Sequence, residues 1–163
     1  MLSKSCGYAI RGILYLALKH SERRKIGIQE LVAELRVPPH FMGKIMQDLV
    51  RRDIISSIKG PNGGFSLNDN TLNTPMMTIV EAIDGPALFR RCVLNLPDCS
   101  GKNPCPLHHE VTGFRDYLAH TLRMRTVQDL VTSVERGHTM LRPGSVEAFL
   151  TKPGDDGGGG PEK

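Results

Sequence analysis

The chain has 163 residues and a mass of 18.0 kDa, which is enough for one domain of ordinary size or for a small domain with a helical extension. Only 5% of the residues are aromatic and none is Trp, so aliphatic side chains must fill the core, which favours packed helices over an aromatic-rich β-sandwich. The formal net charge is +4, and residues 1–60 carry eleven Lys and Arg against five Asp and Glu, a basic balance typical of a surface that binds nucleic acid.

Two amphipathic helices are predicted at the start of the chain. In residues 3–19 apolar side chains recur at helical spacing, and Ser3 is an acceptable N-cap. A second, shorter helix covers residues 28–35. It must end before Pro38 and Pro39, because the residue before a proline is disfavoured in helical conformation.

A third helix is predicted from Pro39 to Arg52. Proline is tolerated in the first turn of a helix, because its missing N–H would have no partner there. The second and third helices, with only a tight turn between them, have the form of a helix-turn-helix. The polar side chains that lie away from the apolar face of the third helix are His40, Lys44, Gln47 and Asp48.

The next segment is predicted to be a β-hairpin. A β-branched run at residues 54–58 and an apolar alternation at residues 65–67 flank the sequence KGPNGG, which begins at Lys59. A tip of small residues and proline lets the backbone approach phosphates closely or enter a minor groove, and Lys59 adds a positive charge. The hairpin is therefore interpreted as the wing of a winged helix-turn-helix.

Beyond the wing, helices flank one long loop. Residues 68–75 are interpreted as a polar linker, residues 78–84 as a short helix, and residues 109–123 as a long helix, and Thr126 can cap a last helix. The long helix has no evident partner for its whole apolar face within so small a domain. It is therefore a candidate dimer interface.

The cysteine loop, residues 92–108, carries the chemistry of this sequence. Three of the four cysteines, Cys92, Cys99 and Cys105, fall within it, and His108 ends it. Prolines and a glycine between them break helices and hold the loop open, so the thiols can converge on one point. Soft thiolates with one imidazole suit zinc or iron–sulfur chemistry.

The residues alone leave both metals open. Three thiolates and an imidazole satisfy tetrahedral zinc as well as the open valences of an iron–sulfur cluster. Spacing argues weakly against zinc, whose sites usually contain a ligand pair with two to four residues between them, and here only Cys105 and His108 are so close. Buried inert thiols are disfavoured for three cysteines in such a loop. Cys6, at the start of the first helix, is interpreted as an incidental small residue.

Targeting and catalytic signals are missing from the sequence. No apolar run is long enough to span a membrane, and Arg11 interrupts the first apolar stretch, which is not followed by a small-residue cleavage site. We therefore expect a cytoplasmic protein, where clustered thiols more often bind metal or sense redox change than form structural disulfides. Without a G-x-S-x-G, an H-E-x-x-H or a phosphate loop, we do not expect an enzyme.

Taken in order, these parts resemble the Rrf2 family of bacterial winged-helix regulators, which includes IscR-like and NsrR-like members. The resemblance covers residues 1–135. It rests on the opening KSCGYAIRGILYLA, the helix pair ending at Leu49, the wing SSIKGPNGGFSL, the short helix TIVEAIDG, and three spaced cysteines with CPLH. The KGPNGGF wing and the cysteine loop are its most specific parts.

The resemblance implies a ligand set. Cys92, Cys99 and Cys105 would ligate an iron–sulfur cluster, and His108 occupies the place where IscR-like members supply a histidine. NsrR-like members take a carboxylate from the first helix of the partner subunit, and the matching position here is Gly7, which favours His108 as the fourth ligand. A 2Fe–2S cluster is expected, with 4Fe–4S as the alternative.

The resemblance also implies a DNA-binding surface. The third helix would enter the major groove, and its residues at or near the bases would be Pro39, His40, Gly43, Lys44 and Gln47. Many relatives carry a long polar side chain where Gly43 stands, so the operator preference is expected to differ. Lys59 and Gly60 would place the wing in the adjacent minor groove, whose negative potential attracts positive charge.

The expected architecture is mainly α with a small β wing, a winged helix-turn-helix domain with a long C-terminal dimerisation helix. Residues 1–70 would form the DNA-binding domain, residues 71–136 the cluster-binding loop and dimerisation helices, and residues 137–163 a disordered tail.

The expected function is that of a homodimeric transcriptional regulator. It would bind a palindromic double-stranded DNA operator and sense redox state, iron–sulfur status or nitric oxide through its cluster. The alternatives are a zinc-stabilised DNA-binding regulator and an iron–sulfur electron-transfer protein, the latter leaving the basic winged helix unexplained.

Overall fold

The computed structural model describes residues 2–20, 25–97 and 99–139 together with Leu141. Within these residues the chain is mainly helical with one two-stranded antiparallel sheet, so the predicted fold class is confirmed. No helix in this part of the chain is long and apolar enough to cross a membrane. The elements in order are α1 (Lys4–Leu18), α2 (Ile28–Leu35), α3 (Pro39–Arg51), β1 (Ile55–Ile58), β2 (Gly64–Leu67), a 3-10 helix (Thr71–Asn73), α4 (Met76–Asp84), α5 (His108–Met124) and α6 (Val127–Glu135).

Helix α1 lies at the centre of the fold and packs against α2, α3, α4, α6 and β2. Its N-terminus is capped by Ser3, whose hydroxyl accepts a hydrogen bond from the Cys6 N–H, as the sequence predicted. Gly12 lets α3 come close, since a Cβ there would lie 3.0 Å from the Met46 sulfur. Helices from both sides of residue 70 share this core, and the predicted division of the chain into domains stays a prediction.

The turn between α2 and α3 sets the angle of the helix-turn-helix. Arg36 takes a left-handed conformation with φ of 51°, which ends α2 at once, and Val37 is then buried in the core. Pro38 is extended, and Pro39 occupies the first turn of α3. One face of α3 is buried through Met42, Ile45, Met46 and Leu49, so the opposite face is left to solvent.

A backbone bridge from Ile26, just before α2, holds the wing to the helices, and sequence reasoning missed it. Ile26 and Phe65 exchange two backbone hydrogen bonds of 2.9 Å, which adds residue 26 to the edge of the β1–β2 hairpin. In the hairpin Ile55 pairs with Leu67 and Ile58 with Gly64. The tip needs glycine at position 63, because a Cβ there would lie 2.2 Å from the Ile58 carbonyl oxygen.

The polar linker predicted at residues 68–75 is in part a folded 3-10 helix. Its Thr71 is fully buried, and the Thr71 hydroxyl donates to the Ile54 carbonyl at 2.8 Å while accepting from the Asn68 N–H at 2.9 Å. Both hydrogen bonds compensate the burial of a polar group, which composition alone could not reveal. The tail predicted at residues 137–163 lies almost wholly outside the described residues.

Two glycine substitutions should move stability in opposite directions. Gly43 lies inside α3 with nothing within 4 Å of a Cβ, so Gly43→Ala should raise the free energy of unfolding by about 0.5–1 kcal/mol. Gly64 has φ of +147°, and a Cβ there would lie 2.7 Å from the Ile26 carbonyl oxygen. Gly64→Ala should therefore lower the free energy of unfolding by about 1–3 kcal/mol. Urea unfolding at one fixed protein concentration measures both. A loss of stability in Gly43→Ala would contradict the open environment of this position.

Candidate metal centre and nucleic-acid interface

The loop between α4 and α5 is a series of tight turns that present the three thiols. Helix α4 ends at Gly85 with φ of +83°. The Cys92 carbonyl accepts from the Asn95 N–H at 3.0 Å, and Ser100 and Asn103 exchange backbone hydrogen bonds of 3.1 Å. The Cys105 carbonyl accepts from the His108 N–H at 2.9 Å. Each cysteine therefore sits at or beside a turn, and the chain folds back on itself between one thiol and the next.

Three of the four predicted ligand atoms lie close together, and the fourth contacts one of them. The sulfur atoms of Cys92, Cys99 and Cys105 all lie within 4.8 Å of one another. The Cys92 thiol donates to the Cys105 sulfur at 3.6 Å, and the Cys99 sulfur lies 3.2 Å from Nδ1 of His108. Three soft sulfur donors with an adjacent imidazole fit a thiophilic metal centre. Their role as ligands stays a prediction.

The surroundings of Cys92 favour ionisation of its thiol, and those of Cys105 oppose it. Burial opposes ionisation of the Cys92 thiol, but hydrogen bonds from the backbone of Leu96 and Leu94 and from the neighbouring thiols outweigh it and lower the pKa of Cys92 to about 7. Burial raises the pKa of Cys105, and its thiol contacts with Cys92 and Cys99 act in the same direction. Near neutral pH the group can therefore supply a thiolate, the form in which cysteine binds metal.

Arg115 ties the loop to α5, and sequence reasoning missed it. Its Nη1 donates to the Arg91 carbonyl at 2.6 Å, directly before Cys92. Its Nη2 donates to the Thr112 hydroxyl at 3.3 Å, and that hydroxyl donates to the His108 carbonyl at 2.6 Å. The available signal was spacing, since Arg115 follows His108 by seven residues and so lies on the same face of a helix, two turns later.

A cavity of about 400 Å³ lies between the loop and α5, beside Cys92. Its walls are mostly apolar and are formed by Leu88, Phe89, Val93, Val111, Phe114 and Leu118. Helix α5 also exposes three large apolar side chains, Phe114 at 55%, Tyr117 at 71% and Met124 at 66%. We call these three side chains the apolar α5 face. The loop adds Val93, Leu94, Leu96 and Leu107 to the exposed apolar side chains.

Cys6 is separate in character from the loop cysteines. It is fully buried in α1, and burial, followed by the negative charge of Asp84, raises the pKa of Cys6 to about 12. Gly7 beside it offers no side-chain ligand, and a Cβ there would meet nothing within 4 Å. Ser3 and Asp84 are hydrogen-bonded through the Ser3 N–H at 2.8 Å and through the Ser3 hydroxyl, which joins the start of α1 to the end of α4.

Cys6 should therefore resist alkylation in the folded protein. At pH 8 iodoacetamide should label Cys92 and Cys99 of the metal-free chain and leave Cys6 unlabelled until the chain is unfolded, which peptide mass mapping measures. Its raised pKa favours the folded state below pH 9.0, and this contribution is lost as the pH rises from 9.0 towards 12. Labelling of Cys6 as fast as Cys92 and Cys99 would contradict its burial.

The predicted DNA-contacting residues divide into two groups. Gly43, Gln47, Lys59 and Gly60 line one groove of about 660 Å³ between α3, the start of α2 and the wing. Pro39, His40 and Lys44 are exposed on α3 but do not line that groove. The His40 ring contacts the ring of Phe41 at 4.2 Å between centroids. All seven residues thus lie on α3 or the wing with solvent access, and their contact with DNA stays a prediction.

Comparison with known proteins gives one consistent result. The family model Rrf2, described as an iron-dependent transcriptional regulator, matches residues 2–133. A protein of Aquifex aeolicus named as an HTH-type transcriptional regulator is 28% identical over 83% of this chain and 94% of its own length. The regulator IscR of Pectobacterium atrosepticum is 23% identical over 78% of this chain and 77% of its own.

Solved structures agree at the level of the fold. The structure of CymR, the global cysteine regulator of B. subtilis, matches with a TM-score of 0.65 at 20% identity, covering 81% of this chain and 96% of that one. At this identity the similarity supports the arrangement of helices and wing described above.

Proposed function

Because the chain belongs to the Rrf2 family of transcriptional regulators, we propose that it binds duplex DNA as a homodimer and that its cysteine loop holds an iron–sulfur cluster whose state sets the affinity for DNA. The observation that carries the proposal is the convergence of Cys92, Cys99 and Cys105 on one point with His108 in contact, in a chain that also has a helix-turn-helix and a wing.

The DNA-binding half of the proposal is supported by the exposed face of α3. Lys44 and Gln47 are exposed because Met42, Ile45, Met46 and Leu49 hold the opposite face in the core. Gln47 has an amide that can bond two positions on an adenine edge, and Lys44 can contact a phosphate or a guanine. At the wing Lys59 precedes Gly60, whose φ of +116° and open surroundings keep side-chain bulk away from the tip. The wing can therefore lie against a sugar–phosphate backbone or in a minor groove.

The cofactor half is supported by the donor set. Cys92, Cys99, Cys105 and His108 would hold the cluster, which would supply an electron-accepting centre that reacts with oxidants and nitric oxide. Arg115 keeps the segment before Cys92 against α5, while His108 begins α5. Loop and helix therefore share hydrogen bonds, and a change in the loop can alter the position of α5 and its exposed apolar side chains.

A second candidate is a zinc-stabilised DNA-binding regulator, and the compact spacing of the thiols favours it. Two thiolates on one tetrahedral zinc lie about 3.8 Å apart, since each Zn–S bond is about 2.3 Å long. The sulfur atoms of Cys92 and Cys105 lie 3.6 Å apart, and all three loop sulfur atoms lie within 4.8 Å of one another, close enough to bind a single ion. Metal analysis of the purified protein separates the two candidates.

The dimer should depend on the apolar α5 face. Tyr117 is 71% exposed, so Tyr117→Glu should leave the fold intact but raise the dimer dissociation constant about 30-fold or more, the effect of losing about 2 kcal/mol at an interface centre. Sedimentation equilibrium measures this dissociation constant. Thr78→Glu, which places the same charge at an exposed position of α4, is the matched control. Equal dissociation constants for the two variants would remove α5 from the interface.

The experiment that tests the function as a whole is selection of duplex DNA. The full chain, purified without oxygen, is mixed with a pool of random duplexes at physiological salt, and bound sequences are recovered. Enrichment of an inverted repeat with half-sites about one helical turn apart is expected, with binding that weakens steeply as salt rises. Absence of duplex binding at every salt concentration would reject the regulator and leave electron transfer as the remaining role for a cluster.

A further inference from the structure

Two of the loop thiols are already paired in a way the proposed metal centre does not require. The Cys92 thiol donates to the Cys105 sulfur at 3.6 Å, whereas the Cys99 sulfur is engaged with the His108 imidazole at 3.2 Å. A disulfide needs its sulfur atoms about 2.05 Å apart, so a shift of about 1.5 Å would join Cys92 and Cys105. Most of the described residues between them, 93–97 and 99–104, are exposed, which leaves room for such a shift.

We propose that Cys92 and Cys105 form a reversible intramolecular disulfide in the metal-free protein and that this bond blocks loading of the metal centre. The disulfide itself needs no metal, and only its effect on loading rests on the proposed function. Cys99 would stay reduced beside His108, and Cys6 would stay reduced in the core.

The oxidant is a small-molecule disulfide such as oxidised glutathione, and the reaction is thiol–disulfide exchange. The half-buried Cys92 thiolate attacks one glutathione sulfur, forming a mixed disulfide and releasing one reduced glutathione. The Cys105 thiolate then attacks the Cys92 sulfur and displaces the second glutathione. The two cysteines lose two protons and two electrons in total, and the two released glutathione thiols carry them.

The disulfide would therefore control whether the cofactor can be loaded. A disulfide removes two of three thiolate donors, and the remaining Cys99 and His108 cannot hold a soft metal by themselves. Reduction restores the complete donor set. The loop would thus accept its cofactor only in a reducing environment, a signal distinct from the state of the cofactor once bound.

The test uses the full chain, freed of metal with a chelator and reduced. After exposure to oxidised glutathione, remaining thiols are alkylated and the protein is digested with trypsin. Cleavage after Arg91, Lys102 and Arg115 places Cys92 and Cys99 on one peptide and Cys105 on the next. A cross-link between these two peptides is expected in the wild-type chain and equally in Cys99→Ser. In Cys105→Ser the cross-link should be replaced by one glutathione adduct on Cys92.

Uptake of zinc alone tests whether the disulfide blocks loading of the metal centre. The reduced chain should take up zinc, the oxidised chain should lose this uptake, and dithiothreitol should restore it. A cross-link that disappears in Cys99→Ser, or adducts without any cross-link, would overturn the proposed disulfide. If the Cys92–Cys105 cross-link forms but the reduced chain takes up neither zinc nor iron, the proposed metal centre is wrong. The proposed block on metal loading is then wrong as well. Cys6→Ala, which changes a thiol outside the loop, should behave as wild type throughout.

Discussion

Replacing Cys105 with Ala is expected to abolish cofactor binding, so that protein purified without oxygen loses its iron, its sulfide and its visible absorption together. Cys105 offers one of three sulfur atoms that lie within 4.8 Å of one another, and its loss leaves only two thiolates for a centre expected to need three. Cys105 is buried in the loop but lies outside the hydrophobic cluster that joins the helices. The far-ultraviolet circular dichroism should therefore change little.

Cys6→Ala provides the matched control for this substitution. It removes a thiol from α1, where the side chain is fully buried, and should leave iron, sulfide and colour at the wild-type ratio. If Cys105→Ala kept a full complement of iron and sulfide, the assignment of the loop as the metal site would be wrong. If Cys6→Ala lost them, Cys6 would join the ligand set.

The second large effect is expected on DNA binding. Each lysine that neutralises a phosphate contributes about 0.9 to the slope of log affinity against log salt. Lys44→Ala with Lys59→Ala removes four such lysines from the proposed homodimer and should make that slope less steep by about 3.6. Both lysines are exposed, one on α3 and one on the wing, so their loss should not disturb the core. Fluorescence anisotropy with a selected duplex at several salt concentrations measures the slope.

Gln47 should act differently from the lysines. Gln47→Ala should weaken binding of the selected duplex by about 1–3 kcal/mol for each half-site and relax the preference at one base pair of each half-site, because an amide reads a base edge and not a phosphate. Lys102→Ala removes one positive charge per chain, from an exposed turn of the cysteine loop, and should leave the slope unchanged. A slope that falls as much per removed lysine in Lys102→Ala would mean that net charge, and not the α3 surface, governs binding.

Much of the fold could be predicted because local signals agreed with one another. The prolines at 38 and 39 fix the break between α2 and α3, and the KGPNGG tip fixes the hairpin. Thr126 was expected to cap the last helix, and it forms a full capping box with Asp129. Helix ends were less accurate, since α4 begins at Met76 and α5 at His108, both before the predicted starts.

The features that escaped prediction depend on contacts between distant residues. Burial of Thr71 is compensated by the Ile54 carbonyl, seventeen positions away, and no local pattern shows that pairing. The bridge between Ile26 and Phe65 and the bond from Arg115 to the Arg91 carbonyl have the same origin. For the site, composition and spacing identified the donors, while their closeness and the pairing of Cys92 with Cys105 required the folded loop.

One measurement tests the central claim most directly. The full chain is purified without oxygen, and its visible absorption spectrum is recorded on the sample used for iron, sulfide and zinc analysis. The account predicts a brown protein with iron and sulfide in equal amounts, whose ratio to protein then separates a 2Fe–2S from a 4Fe–4S cluster. A colourless protein with stoichiometric zinc would contradict the proposed cluster and leave a winged-helix protein with a structural metal.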